Sequence, residues 1–211
     1  METIRTVNYV VMVLFFACYA YQFLYIPLAL LKKKKPLPEG APHRFAVLIA
    51  ARNEEAVLGN LLDSLNRQTY PAHLVDLYVV ADNCTDRTAE TARSHGAIVF
   101  ERSNRAQVGK GYALNFLINQ IRTPYDGYLI FDADNLVDSH YIQEINRTFS
   151  AGYNIVTSYR NSKNYGDNWI SAGYGLWFLR EAQYLNRPRA ALGVSCGVSG
   201  AGFLFSRKIL E

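Results

Sequence analysis

The chain has 211 residues, half of them apolar, with 22 basic and 18 acidic side chains and a formal net charge of +4. That length and composition suit one sizeable domain with a real core. Lys32 to Lys35 alone supply four positive charges, so the remainder is balanced and offers no basic surface for nucleic acid.

Between Thr6 and Leu31 there is no charged residue, and Val, Leu, Phe, Tyr, Ala and Ile dominate. About 20 apolar residues span a bilayer as a helix, and this stretch is longer. A cleavable signal would carry its positive charges before a shorter apolar core; here the lysines follow a long one. The expectation is a single transmembrane anchor with its basic flank over residues 1–35. The lysine run places the following part on the cytoplasmic side of the cell membrane. Three prolines and a glycine mark residues 36–44 as a linker. Cys18, Cys84 and Cys196 are odd in number, far apart and without metal-like spacing, as expected of reduced thiols.

From Phe45 onward strand and helix patterns alternate. Strands are expected at 45–50, 77–81, 97–101, 128–131 and 155–159. Helices are expected at 54–67, 85–95, 111–121, 139–149 and 169–185, the last long and rich in aromatic residues. Such alternation predicts an α/β domain over 45–211, a mostly parallel sheet with helices on both faces.

Polar clusters fall where four of these strands end, the edge of an open α/β sheet where ligands gather. They are Ala51-Arg52-Asn53-Glu54-Glu55, Asp82-Asn83-Cys84-Thr85-Asp86, the loop Asn104 to Gly111 with Gly109-Lys110-Gly111, and Asp132-Ala133-Asp134. Each has a plain structural reading. Asn53 and Thr85 suit helix caps, Asp82 a turn, and Asp132 and Asp134 a solvated loop. Together they complement one another chemically. In extended backbone, side chains at i and i+2 share a side, so Asp132 and Asp134 could hold one hard divalent cation. Lys110, between two glycines, could neutralise a phosphate, and Asp82 could accept the imide proton of a uracil ring. No G-x-x-x-x-G-K-[ST] loop is present, which argues against nucleotide-triphosphate hydrolysis.

In this order and spacing the motifs resemble the family 2 glycosyltransferases of the GT-A fold, especially the membrane-bound cellulose, hyaluronan and poly-N-acetylglucosamine synthases. The resemblance runs from about Phe45 to Glu211 and includes Val47-Leu48-Ile49-Ala50-Ala51-Arg52-Asn53-Glu54-Glu55 and Gly109-Lys110-Gly111-Tyr112-Ala113-Leu114-Asn115. It implies that Ala50, Arg52, Glu54 and Asp82 line a uridine pocket with Lys110 nearby. It also implies that Asp132 and Asp134 bind the nucleotide sugar through Mn²⁺ or Mg²⁺, with Asp134 favoured as the direct ligand. Gly200, Ala201 and Gly202 look like the glycine-rich segment that such enzymes place near the acceptor, although Ala201 stands where Thr is frequent.

In that family a Glu-Asp pair follows the glycine segment and supplies the catalytic base, and processive members carry a Gln-x-x-Arg-Trp segment later. The sequence stops at Glu211, before either, and Glu181 and Glu211 are poor substitutes. The expectation is therefore the donor half of an inverting transferase that uses a nucleotide-diphosphate sugar, with UDP the expected nucleotide. Its acceptor would be a saccharide or lipid-linked molecule, and a chain ending here would transfer sugar weakly or not at all. The alternative is a non-catalytic, membrane-anchored module that binds a nucleotide sugar or a partner. A haloacid-dehalogenase-type phosphatase fits less well, because its Asp-x-Asp sits on the first strand. A nucleotidyltransferase would need a glycine-rich loop where this chain has Ala51-Arg52-Asn53-Glu54.

Overall fold

The computed structural model describes residues 2–31 and 37–210; the lysine run, Pro36 and Glu211 lie outside the described residues. The chain divides into two compact units, one of residues 37–158 with 198–210 and one of residues 2–31 with 159–197.

The first of these is built on a six-stranded sheet. Its elements in chain order are β1 (Phe45–Ala51), α3 (Leu58–Asn66), β2 (Val75–Asp82), α4 (Thr88–Ser94), β3 (Ile98–Arg102), α5 (Lys110–Gln120), β4 (Gly127–Asp132), α6 (Tyr141–Ser150), β5 (Ile155–Thr157) and β6 (Phe203–Ser206). The sheet order is β3-β2-β1-β4-β6-β5. Strands β1 to β4 run parallel, and β6 is antiparallel to both β4 and β5. Strand alternation sends Phe45, Val47 and Ile49 to a core with Leu58, Leu61 and Leu62 of α3 and Ile142 of α6. Ala46 and Leu48 enter a second core with Leu117 of α5. Because both faces of β1 are covered, its apolar run is unbroken, as in other buried parallel strands.

Two helices begin later than the sequence pattern suggests. Helix α3 starts at Leu58 rather than Glu54, because Asn53 is left-handed (φ 56°) and the Glu54 amide donates to Thr88 Oγ1 at 2.8 Å. Helix α4 starts at Thr88 rather than Thr85, where Asp86 Oδ1 accepts from the Thr88 amide and hydroxyl. The short strand β6 was not foreseen; it follows the glycine-rich segment so closely that no periodic run marks it.

In the other unit, α1 (Glu2–Tyr19) and α2 (Tyr21–Leu31) form an apolar helical run, with Pro27 inside α2. At 1.5 Å per residue its 30 residues rise about 45 Å, more than the roughly 30 Å hydrocarbon core of a bilayer. The expected long helix is α7 (Trp169–Leu179), continued by a π-helical turn (Arg180–Asn186) and α8 (Arg187–Ala191). Asn168 caps α7, its side chain accepting from the Ile170 and Ser171 amides at 3.0 Å.

Leu129 is fully buried, with Val47 and Leu204 beside it in register on the neighbouring strands. Leu129→Ala should lower unfolding free energy by about 2–5 kcal/mol in denaturant titrations. The same change at exposed Leu136 should stay within about 0.5 kcal/mol.

Candidate functional site

Parallel pairing brings the polar strand ends to one edge. Ala50 on β1 lies in register with Val80 on one side and Asp132 on the other, and Asp82 pairs with Arg102 across β2 and β3. Neighbouring parallel strands stand about 4.8 Å apart, so residues as far apart in sequence as Ala50 and Asp132 become neighbours.

Asp82 is buried at the end of β2, where Arg102 Nη1 donates to its Oδ1 at 2.5 Å. Both side chains are only 6% exposed. Asn83 Nδ2 also donates to Oδ1, at 3.1 Å, so both bonds fall on that one oxygen. Arg102 is further held by the Gln107 carbonyl at 2.9 Å. Asn83 is left-handed (φ 54°) and exchanges hydrogen bonds with the backbone of Asn104, donating to its carbonyl and accepting from its amide. A non-glycine residue in this conformation stores local strain, which surrounding bonds must hold.

The loops after β1 and β2 are pinned together. Asn53 Oδ1 accepts from the Thr85 amide at 2.8 Å, the Glu55 amide donates to Asp86 Oδ2 at 3.2 Å, and Glu55 Oε2 accepts from the Arg87 amide at 2.8 Å. The Thr88 hydroxyl and then backbone amides hold Asp86 below the usual carboxylate range. Arg52 is exposed on this loop and Glu54 half-buried.

Lys110 opens α5, and its ammonium reaches both Asp132 Oδ1 and the Gly200 carbonyl, the latter at 3.0 Å. Three segments far apart in sequence thus meet at one cation. Of the two glycines around Lys110, Gly109 works through backbone conformation rather than close approach. Gly109 has φ +133°, which a side chain rarely adopts, and nothing lies within 4 Å of where its Cβ would be. Gly200 and Gly202 also have positive φ, and between them Ala201 turns its methyl into the protein and is buried. The Gly202 amide donates to the Ile130 carbonyl at 2.8 Å, fastening the segment to β4.

Strand β4 ends at Asp132, and Ala133 and Asp134 lie in a turn. The relative placement of the two carboxylates is therefore set by that turn and not by strand alternation. Asn135 closes it: its amide donates to the Asp132 carbonyl, its Oδ1 accepts from the Asp132 amide, and its Nδ2 lies 3.4 Å from Asp134 Oδ1. Among the described residues no three His, Cys, Asp or Glu side chains cluster as a metal cage. The donor set fits a hard cation nonetheless, because Mg²⁺-type sites commonly use one or two carboxylates and complete their shell with substrate phosphates and water.

The structure thus brings Ala50, Asp82, Lys110, Asp132, Asp134 and Gly200 to the ends of the strands or the loops that follow them. Sequence reasoning passed over Arg102 and Thr88 and gave no role to Asn104 and Asn135. The signal for Arg102 was a cation directly after the expected strand 97–101, beside an expected aspartate strand end.

A family model described as glycosyltransferase-like family 2 matches residues 42–211. A beta-monoglucosyldiacylglycerol synthase from a Nostoc species is 29% identical over 181 residues, covering 79% of this chain and 36% of that protein. A 4,4'-diaponeurosporenoate glycosyltransferase from Staphylococcus haemolyticus is 34% identical over 110 residues, 50% of this chain and 28% of that protein. The chain therefore spans well under half the length of these relatives. Among solved structures, the mannosyltransferase PcManGT from Pyrobaculum calidifontis, in complex with GDP-Man and Mn²⁺, superposes with a TM-score of 0.65 at 18% identity, over 94% of this chain and 56% of that one.

Breaking a buried ion pair by removing one partner costs about 3–5 kcal/mol, because the other charge is left buried. Arg102→Met should show such a loss in denaturant unfolding, and Asp82→Asn combined with Arg102→Met should recover much of it. A double-variant loss equal to the sum of the losses from Asp82→Asn and Arg102→Met alone would mean that the pair is not coupled.

Proposed function

This chain belongs to the glycosyltransferase-like family 2, and on that premise we propose that its strand edge binds a nucleotide-diphosphate sugar for transfer to a lipid or lipid-linked acceptor at a membrane. The observation that carries this reading is the meeting of Asp132, Lys110 and the Gly200 carbonyl at one point. The same point joins the expected donor loops to the expected acceptor segment.

Charge favours a cation as co-ligand. Lys110, Asp132 and Asp134 carry one positive charge against two negative, which disfavours a diphosphate; a bound divalent cation reverses the sign. Asp134, with Asp132, would hold Mn²⁺ or Mg²⁺, and the ion would stabilise negative charge on the departing nucleoside diphosphate. Lys110 keeps its ammonium at the same place, within reach of phosphate oxygens as well as Asp132. Lys110 lies in the first turn of α5, where helix amides favour an anion. At the base end, Arg102 and Asn83 hold Asp82 through Oδ1, and Oδ2 is the oxygen assigned to accept a ring N–H. Uracil and guanine both present such a donor, so UDP and GDP are the two nucleotides to compare.

The names of the glycolipid-forming and carotenoid-acid-modifying relatives support a lipid acceptor over a growing polysaccharide. The apolar run Glu2–Leu31 supports a membrane location. Orientation toward the cytoplasm rests on the lysines that follow it. Transfer with inversion would need a base near Gly200 to Gly202 to take the acceptor hydroxyl proton; no residue of this chain is assigned that role.

Titration calorimetry of UDP and of GDP into the detergent-solubilised chain, with and without Mn²⁺, tests the reading. One nucleotide should bind only with metal, and Asp134→Ala should weaken that binding by about tenfold or more, 1.4 kcal/mol. Metal-independent binding unchanged in Asp134→Ala would remove the aspartates from the site.

A further inference from the structure

Helix α7 turns its large apolar side chains outward. Its eleven residues include no charge, and its buried residues are the small Ser171 and Gly175. Trp169 is 83% exposed, Tyr174 61%, Trp177 59%, Leu176 57% and Ile170 53%. A contiguous apolar surface of this kind marks an interaction site. The helix rises about 16 Å, half of what a bilayer crossing needs, and apolar stretches of this length suit a buried core or an interfacial position. Exposure excludes the first within this chain.

The same compact unit indicates what covers the face. Arg180, one residue beyond α7, donates to Gln22 Oε1 on α2 at 2.5 Å. Arg189 on α8 is bonded to the hydroxyls of Tyr25 and Tyr21, which keep it firmly protonated. The continuation of α7 is thus fastened to the apolar N-terminal run, and wherever α2 meets a bilayer α7 is carried with it. Trp and Tyr favour the membrane–water boundary. Helix α7 is itself uncharged and turns its small residues Ser171 and Gly175 inward, so its exposed apolar side is what would meet the bilayer, while Arg180, Arg187 and Arg189 lie on the turns that follow.

We propose that α7 is a second membrane-contacting element, lying in the plane of the bilayer surface with Trp169 and Trp177 seated at the headgroup–acyl boundary. The proposal rests on the reading of Glu2–Leu31 as the membrane helix. It would bring the protein surface next to the level at which a lipid headgroup presents its hydroxyl.

Trp169 and Trp177 are the only two tryptophans of the chain, so indole fluorescence reports this helix alone. The full chain would be reconstituted into phosphatidylcholine–phosphatidylglycerol vesicles carrying bromine at different depths of the acyl chain. A helix seated about 5–10 Å below the headgroups should float with the vesicles and show blue-shifted emission. Shallow bromines should quench it more than deep ones, and aqueous iodide should quench it little. Trp169→Ser and Trp177→Ser, each leaving one reporter, should give the same shallow depth. Flotation with quenching by iodide but not by bromolipid would place α7 in water and overturn this inference while leaving the anchor intact. Flotation with neither quencher effective would show that protein covers the helix, and would overturn it equally. A chain that does not float removes the anchor and this inference together.

Discussion

The parallel register of β1 with both of its neighbours is the constraint on which the site depends. Once Ala50 is aligned with Val80 and Asp132, every strand in this part of the sheet must end at the same edge. The loops that carry polar side chains then have one place to go. The register is itself enforced by burial, because a slip of one residue would exchange Val47 and Ile49 with Ala46 and Leu48 between two differently shaped cores. The apolar strand interiors therefore determine where the charged residues meet.

Geometry at that edge is maintained by long-range hydrogen bonds between loops. The left-handed Asn53 and Asn83 each spend their amide groups on the backbone of the next loop over. Each is costly in isolation and holds because the neighbouring strand fixes its partner. Lys110 plays the equivalent part between β4 and the glycine-rich segment. Under the proposed function, a ligand that draws Lys110 toward a phosphate would loosen its hold on the Gly200 carbonyl.

The sheet was legible in the sequence because buried parallel strands carry unbroken apolar runs, as in Val47 to Ala51 and Tyr128 to Phe131. The polar clusters at the strand ends were legible as breaks in those runs, although Asp82 stays buried at its strand end. Helix starts were not. Glu54 and Thr85 look like first-turn residues locally, yet both belong to loops whose shape depends on partners about 30 residues away. Strand β6 escaped notice because four residues after a glycine turn have no period of their own. The exposure of α7 was likewise invisible, since Trp, Leu and Phe at such density read equally well as core.

Among these interactions the Asp82–Arg102 pair is the one whose presence stability does not explain. A well-packed apolar pair in its place would often be as stable or more so, because two charges must give up their water to be buried. What an apolar pair could not do is hold a carboxylate at the end of β2 in one orientation, with one oxygen occupied by Arg102 and Asn83. Orientation of an acceptor matters where a ligand is planar and offers a single ring N–H. Under the proposed function the pair would serve to orient Asp82 toward a nucleobase, with its desolvation cost carried by the cores beneath it.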